Sequence, residues 1–112
     1  MIKKKLIINI NAKDFDNLEM EEQYNKWYNT HIEENFKFKG MKKVERFKRI
    51  GDTATGAPRH LAIYYFDSIE DFNEYEKSSE HANSAKVPGK PDSSIIKPRF
   101  RAQYELIESW EK

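Results

Sequence analysis

The chain has no cysteine among its 112 residues, which excludes disulfides, thiolate zinc sites and a cysteine nucleophile. Glycine is scarce as well, at four residues. None of the four forms a GxGxxG or GxxxxGK loop, so a glycine-cradled phosphate site is excluded too. No apolar run approaches the roughly 18 residues of a membrane-spanning helix. Behind the basic start, the run Leu6–Ile8 stops at Asn9, too short for a signal peptide, and the expected location is cytoplasmic. Net charge is almost nil, with 20 Lys+Arg against 19 Asp+Glu giving +1. A nucleic-acid binder normally carries a cationic surplus, and none exists here.

What the chain does have is charge of both signs (35%), a modest hydrophobic fraction (38%) and a mean hydropathy of -0.95. Disorder goes with few aromatics and high net charge. With 7 Phe, 6 Tyr and 2 Trp, a folded chain with an aromatic core is expected instead. Its length fits one domain, residues 1–112. A small polar chain has little surface to bury alone, and association is one remedy.

Hydrophobic spacing predicts six elements. Lys4 to Asn11 is β-branched and apolar, a strand with Leu6, Ile8 and Ile10 on one face and Ile7, Asn9 and Asn11 on the other. Asp14 to Asn17 reads as a turn. From Glu19 to Asn35 the period becomes helical: Met20, Tyr24, Trp27, Tyr28, His31 and Ile32 form one stripe, while Glu21, Glu22, Asn25, Lys26, Asn29 and Glu33 form a solvated face. Gly40 is a plausible stop. Met41 to Ile50 is a second strand, followed by a loop over Gly51–Pro58. Arg59 to Asp67 reads as a central strand buried on both faces. Ser68 then caps a second helix with Ile69, Phe72 and Tyr75 as its stripe, loosened from Ser78 onward. Val87 to Pro98 is a proline-rich loop. Arg99 to Ile107 is the last strand, with Phe100, Ala102, Tyr104 and Leu106 as its apolar face.

The order β-α-β-β-α-β predicts a ferredoxin-like α+β domain with a four-stranded antiparallel sheet. Two helices cover one face of such a sheet, so the other face needs a cover, which a homodimer through sheet faces would supply.

Candidate chemistry is sparse. His31 with Glu34 or Asn35 is weak metal spacing, and no metal or cofactor is expected. His31 itself lies on the apolar stripe one turn after Trp27 and Tyr28. It reads either as a general acid/base in a hydrophobic pocket or as a core histidine satisfied by a carbonyl. His60 reads as a partly exposed strand end and His81 as a solvated helix position. Tyr64 and Tyr65 point to opposite sheet faces. Whichever faces the helices could present its hydroxyl to a ligand beside His31, or both could simply pack. Asn9 either lines a polar pocket or is partly exposed. Trp27 reads as core or interface.

The stretch Glu22-Gln23-Tyr24-Asn25-Lys26-Trp27-Tyr28-Asn29-Thr30-His31 resembles the signature of EthD-like proteins in the dimeric α+β barrel superfamily, an aromatic-x-x-Trp/Tyr-x-x-x-His helix. Leu61–Phe66 with Asp67-Ser68, and Ser79-Glu80-His81, are similar too. The resemblance implies a ferredoxin-like protomer packed sheet to sheet against its twin, with a cavity between sheet and helices. In that reading His31 is the residue that acts, with Trp27 and Tyr28 beside it. Cofactor-free cyclases of the superfamily often carry a second His on the first strand, where this chain has Asn9. The helical setting of the haem-degrading members' axial His is not reproduced. Two functions are expected to compete. One is a cofactor-independent enzyme (isomerase, cyclase, dehydratase or oxygenase) on a small hydrophobic oxygenated compound, with His31 catalytic and Tyr28, Trp27, Tyr64, Tyr65 and Asn9 binding substrate. The other is a non-catalytic ligand-binding or accessory dimer.

Overall fold

A computed structural model describes residues 5–15, 17–51, 56–89 and 96–112. Its elements are β1 (Ile7–Phe15), α1 (Leu18–Asn35), β2 (Met41–Lys48), β3 (His60–Phe66), α2 (Ile69–Glu76), α3 (Ser79–Ser84) and β4 (Ile96–Glu105). The four strands form one antiparallel sheet in the order β2-β3-β1-β4. This is the ferredoxin-like arrangement, with the first and third strands, β1 and β3, at the middle of the sheet.

Register decides which side chains meet the helices. Ile7 lies opposite Phe66, Asn9 opposite Tyr64, Asn11 opposite Ala62 and Lys13 opposite His60. These residues share the helix-covered face, where Phe66, Tyr64, Ala62 and His60 are all buried. Ile8, Ile10, Leu61, Ile63 and Tyr65 occupy the other face and are half-buried. The expectation that β3 is buried on both faces therefore holds for one face of this chain by itself.

α1 docks its aromatic stripe on that sheet. Tyr24, Trp27 and Tyr28 are buried and join Phe66, Phe72 and Tyr75 in one core. The helix starts where Asn17, in extended backbone, accepts a hydrogen bond from the Met20 amide at 3.0 Å, the usual role of an N-cap asparagine. Ser68 caps α2 in the same way through the Asp71 amide. Gly40 follows α1 because a Cβ there would sit 2.8 Å from the Phe38 ring.

Four expectations are corrected. Glu21, assigned to the solvated face, is buried, because His60 at the start of β3 and Arg59 just before it reach it. The second helix is two helices: Ser78 turns extended and caps α3 by accepting from the His81 amide. β1 runs on to Phe15 through the expected turn, because its second half pairs with Phe100–Ile96 of β4. β4 in turn begins at Ile96, inside the expected loop, and its Phe100, Ala102 and Tyr104 face away from the helices. Lys4, Asp16, residues 52–55 of the first loop and 90–95 of the second lie outside the described residues.

One irregularity in β4 matters for the site. Phe100 pairs with Ala12 and Pro98 with Lys13, so Arg99 is an extra residue in the strand. Such bulges suit edge strands, and so does a proline that donates no ladder hydrogen bond.

Candidate functional site

A cavity of about 390 Å³ opens between the helix-covered sheet face, α1 and α3. The sheet contributes Asn9, Asn11 and Tyr64, α1 contributes Trp27, Tyr28 and His31, and α2 and α3 contribute Tyr75, His81 and Ser84. Strand alternation places the first group and helical periodicity the second.

His31 is held on three sides. Its Nδ1 lies 2.8 Å from the Ser84 carbonyl oxygen. A carbonyl only accepts, so Nδ1 carries the proton and donates, which makes Nε2 the basic nitrogen of the neutral ring. The ring stacks on Trp27 at 4.4 Å and 25°, and meets the edge of Tyr28 at 5.0 Å. Trp27 in turn donates its Nε1 proton to the Val87 carbonyl at 2.9 Å. Two ring N–H groups of α1 thus grip the chain on and just after α3.

The Tyr28 and Tyr64 hydroxyls are hydrogen-bonded to each other inside the cavity wall. Burial pushes the Tyr28 hydroxyl well above its ordinary pKa, so it stays a neutral donor. In such a pair one hydroxyl proton is used internally and the acceptor keeps its own to donate. Asn9 is buried beside Tyr64 and accepts from the Gln103 amide at 2.8 Å.

Of the residues singled out in the sequence, His31, Trp27, Tyr28, Tyr64 and Asn9 converge on this cavity. Tyr65 does not: it lies on the opposite face and donates to Glu45 at 2.6 Å. His81 was expected in solvent, yet it lines the cavity with its ring edge-on to Tyr75 at 4.9 Å. The helix break at Ser78 resets the phase and turns it inward. Tyr75 was read only as core; its hydroxyl donates to the buried Asn35 amide oxygen. Burial raises the Tyr75 pKa to about 12.

His60 also departs from its expected exposure. It is buried and donates its Nε2 proton to Glu21 at 2.6 Å, while Arg46 approaches its Nδ1 at 3.4 Å. The arrangement fits a neutral imidazole between an anion and a cation. Burial, helped by Arg46 and Arg59, lowers the His60 pKa against the pull of Glu21. Burial would raise the Glu21 pKa, but the hydrogen bond from His60 and the bond and charge of Arg59 bring it below the ordinary value. Arg46 also covers the Tyr28 ring at 4.3 Å and donates to Asn25 at 2.7 Å. This cluster fastens the first half of α1 to β3, next to the cavity. Among the described residues, no three His, Asp or Glu side chains come together as metal ligands. No described helix is long and apolar enough to cross a membrane.

The fold and the histidine-bearing cavity beneath its helices place the chain among ferredoxin-like α+β proteins. Residues 7–97 match a domain of unknown function, DUF4286, and the chain belongs to that family. No curated protein matches it. Among solved structures it is similar to a dimeric ferredoxin-like protein of unknown function from Thermobifida fusca YX. That match has 13% identity, 95% of each chain covered and a TM-score of 0.68. It is also similar to SnoaB, a cofactor-independent oxygenase from Streptomyces nogalater, at 5% identity, 96% and 99% coverage and a TM-score of 0.67. A third is an EthD family protein from Bacillus halodurans C-125, at 13% identity, 92% and 99% coverage and a TM-score of 0.66. At these identities the likeness is one of fold.

Proposed function

We propose that the chain is a cofactor-independent enzyme acting on a small hydrophobic, oxygenated compound, with His31 moving the proton. The observation that carries this reading is the fixed tautomer of His31, whose Nδ1 is committed to the Ser84 carbonyl at the wall of an aromatic cavity. Nε2 then takes a proton from an acidic C–H or O–H of the bound compound and returns it at another atom. The Tyr28–Tyr64 hydroxyl pair donates to the oxygen that becomes negative, and Trp27 and Asn9 position the ring and a polar substituent. A donor held before the charge develops needs no rearrangement during the reaction. A neighbour of the same fold, SnoaB, is named as a cofactor-independent oxygenase, which supports the cofactor-independent part of the reading.

The working unit in this proposal is a homodimer formed through the sheet faces. Ile8, Ile10, Leu61 and Ile63 lie on the face without helices, flanked by exposed Phe47, Phe100 and Tyr104. The Thermobifida protein of the same fold is described as dimeric.

The test is deuterium uptake at the α-carbon of aromatic ketones and lactones in D2O, followed by NMR. His31-dependent exchange is expected, abolished in His31→Gln. Ligands that bind without exchange in the unaltered protein would instead support a carrier or accessory role for the same cavity.

A further inference from the structure

The charge on the cavity walls carries a second conclusion, which rests on the reading of the cavity as a ligand site. Lys13, Arg99 and Arg101 all line it, and among its described lining residues there is no aspartate or glutamate. In a chain with a net charge of +1, three cations without one carboxylate is a marked local bias. Each cation has a counterpart. Arg101 pairs with Glu76 at 2.8 Å, Arg99 with Asp14, and Lys13 donates to the Tyr24 hydroxyl at 2.7 Å. Glu76 and Asp14 do not line the cavity. The Arg99 guanidinium is engaged by Asp14 and the Gly56 carbonyl in the neighbouring cleft, which leaves Arg101, whose charge reaches Tyr75, and Lys13 as the cations of the cavity itself. The register explains how they come to be there. Arg101 sits opposite Asn11 on the helix-covered face, and Arg99 is the extra residue of the β4 bulge.

We infer that the ligand of this cavity is an aromatic carboxylate, with its ring among Trp27, Tyr28 and Tyr75 and its carboxylate toward Arg101 and Lys13. Flat aromatic walls select a ring, and the planar guanidinium fork of Arg101 matches the two oxygens of a carboxylate. The Arg101 side chain is 45% exposed, so this attraction is open to screening by salt. The carboxylate lies on the β4 side of the cavity, opposite His31 on α1, so the reacting end of the ligand points to the histidine.

The experiment compares 6-hydroxy-2-naphthoate with its uncharged carboxamide, titrated into the protein at low and high salt. Affinity is read by fluorescence, and the position of the ligand by the His31 ring resonance in NMR. The acid is expected to bind about tenfold or more tighter than the amide, with salt eroding only the acid's affinity. Arg101→Gln with Lys13→Gln should abolish that preference while leaving the fold signals intact, and Arg101→Lys, which keeps the charge but not the fork, should retain only part of it. Equal binding of acid and amide, both shifting His31, would overturn the carboxylate assignment and leave the ligand site standing. A preference that survives the double variant, or that inorganic phosphate competes away equally well, would also overturn it. A His31 resonance that moves with neither compound would overturn both readings.

Discussion

The Nδ1 atom of His31 and the carbonyl oxygen of Ser84 meet at 2.8 Å across 53 residues of sequence, joining α1 to α3. The bond fixes which imidazole nitrogen is basic. His31→Gln is expected to reduce turnover by about 10²–10⁴, the usual contribution of a positioned acid/base. The protein should stay folded, since His31 is only partly buried. Steady-state rates beside circular dichroism of the same samples check both halves.

The tyrosine pair gives a test by coupling. Either Tyr28→Phe or Tyr64→Phe alone strands a buried hydroxyl, at a cost of about 1–3 kcal/mol. Removing both hydroxyls together should cost less than the sum, with a coupling energy of about 0.5–3 kcal/mol. Urea unfolding of the three variants measures it, and strict additivity would show that the hydroxyls do not pair.

Acid should loosen the molecule through His60 and Glu21. The folded pKa of His60 lies below its ordinary 6.5, so the unfolded chain takes up the proton first. The stability held by neutral His60 is complete above that value and declines as pH falls from 6.5 toward the lowered pKa. Glu21 lies below its ordinary 4.5 and has the same sign, its share being lost as pH falls below that value. Thermal unfolding from pH 7.5 to pH 4 should show a falling midpoint, with the upper part of the fall flattened in His60→Gln. A midpoint rising on acidification would contradict the neutral-imidazole assignment.

The sheet face away from the helices predicts an association that a single charge disrupts. Ile63 sits in its middle, on β3, and Ile63→Lys should turn a dimer into a monomer in light scattering at micromolar concentration.

How much of this was legible in the sequence depended on which physical signal each residue carries. The stripe Tyr24–Trp27–Tyr28 shows the helical period, and Ser68 announces α2, because both signals are local. Glu21 is local too, but the cation and imidazole that bury it arrive from the residue before β3 and from its start, 38 and 39 residues away. The alternation of Tyr64 and Tyr65 can be read directly. Which of them lies under the helices cannot, because both faces of this sheet carry apolar residues. The same ambiguity hides Arg101: alternation along β4 sets it opposite the apolar Phe100, Ala102 and Tyr104 but does not say which of the two faces meets the helices. His81 was lost to a phase error, because a helix continued past Ser78 would point it elsewhere.

The cap at Ser78 has one more consequence. It leaves α3 only six residues long, too short to hold itself together without its neighbours. Its tether to α1 is the pair of ring N–H bonds from His31 and Trp27. The backbone amides of Ala82 to Lys86 should therefore exchange with solvent well ahead of the sheet, on the timescale of a local opening. Each opening would release the His31 tautomer lock and the His81 wall together. Amide exchange that slows across this one turn when a compound occupies the cavity would mark α3 as its doorway.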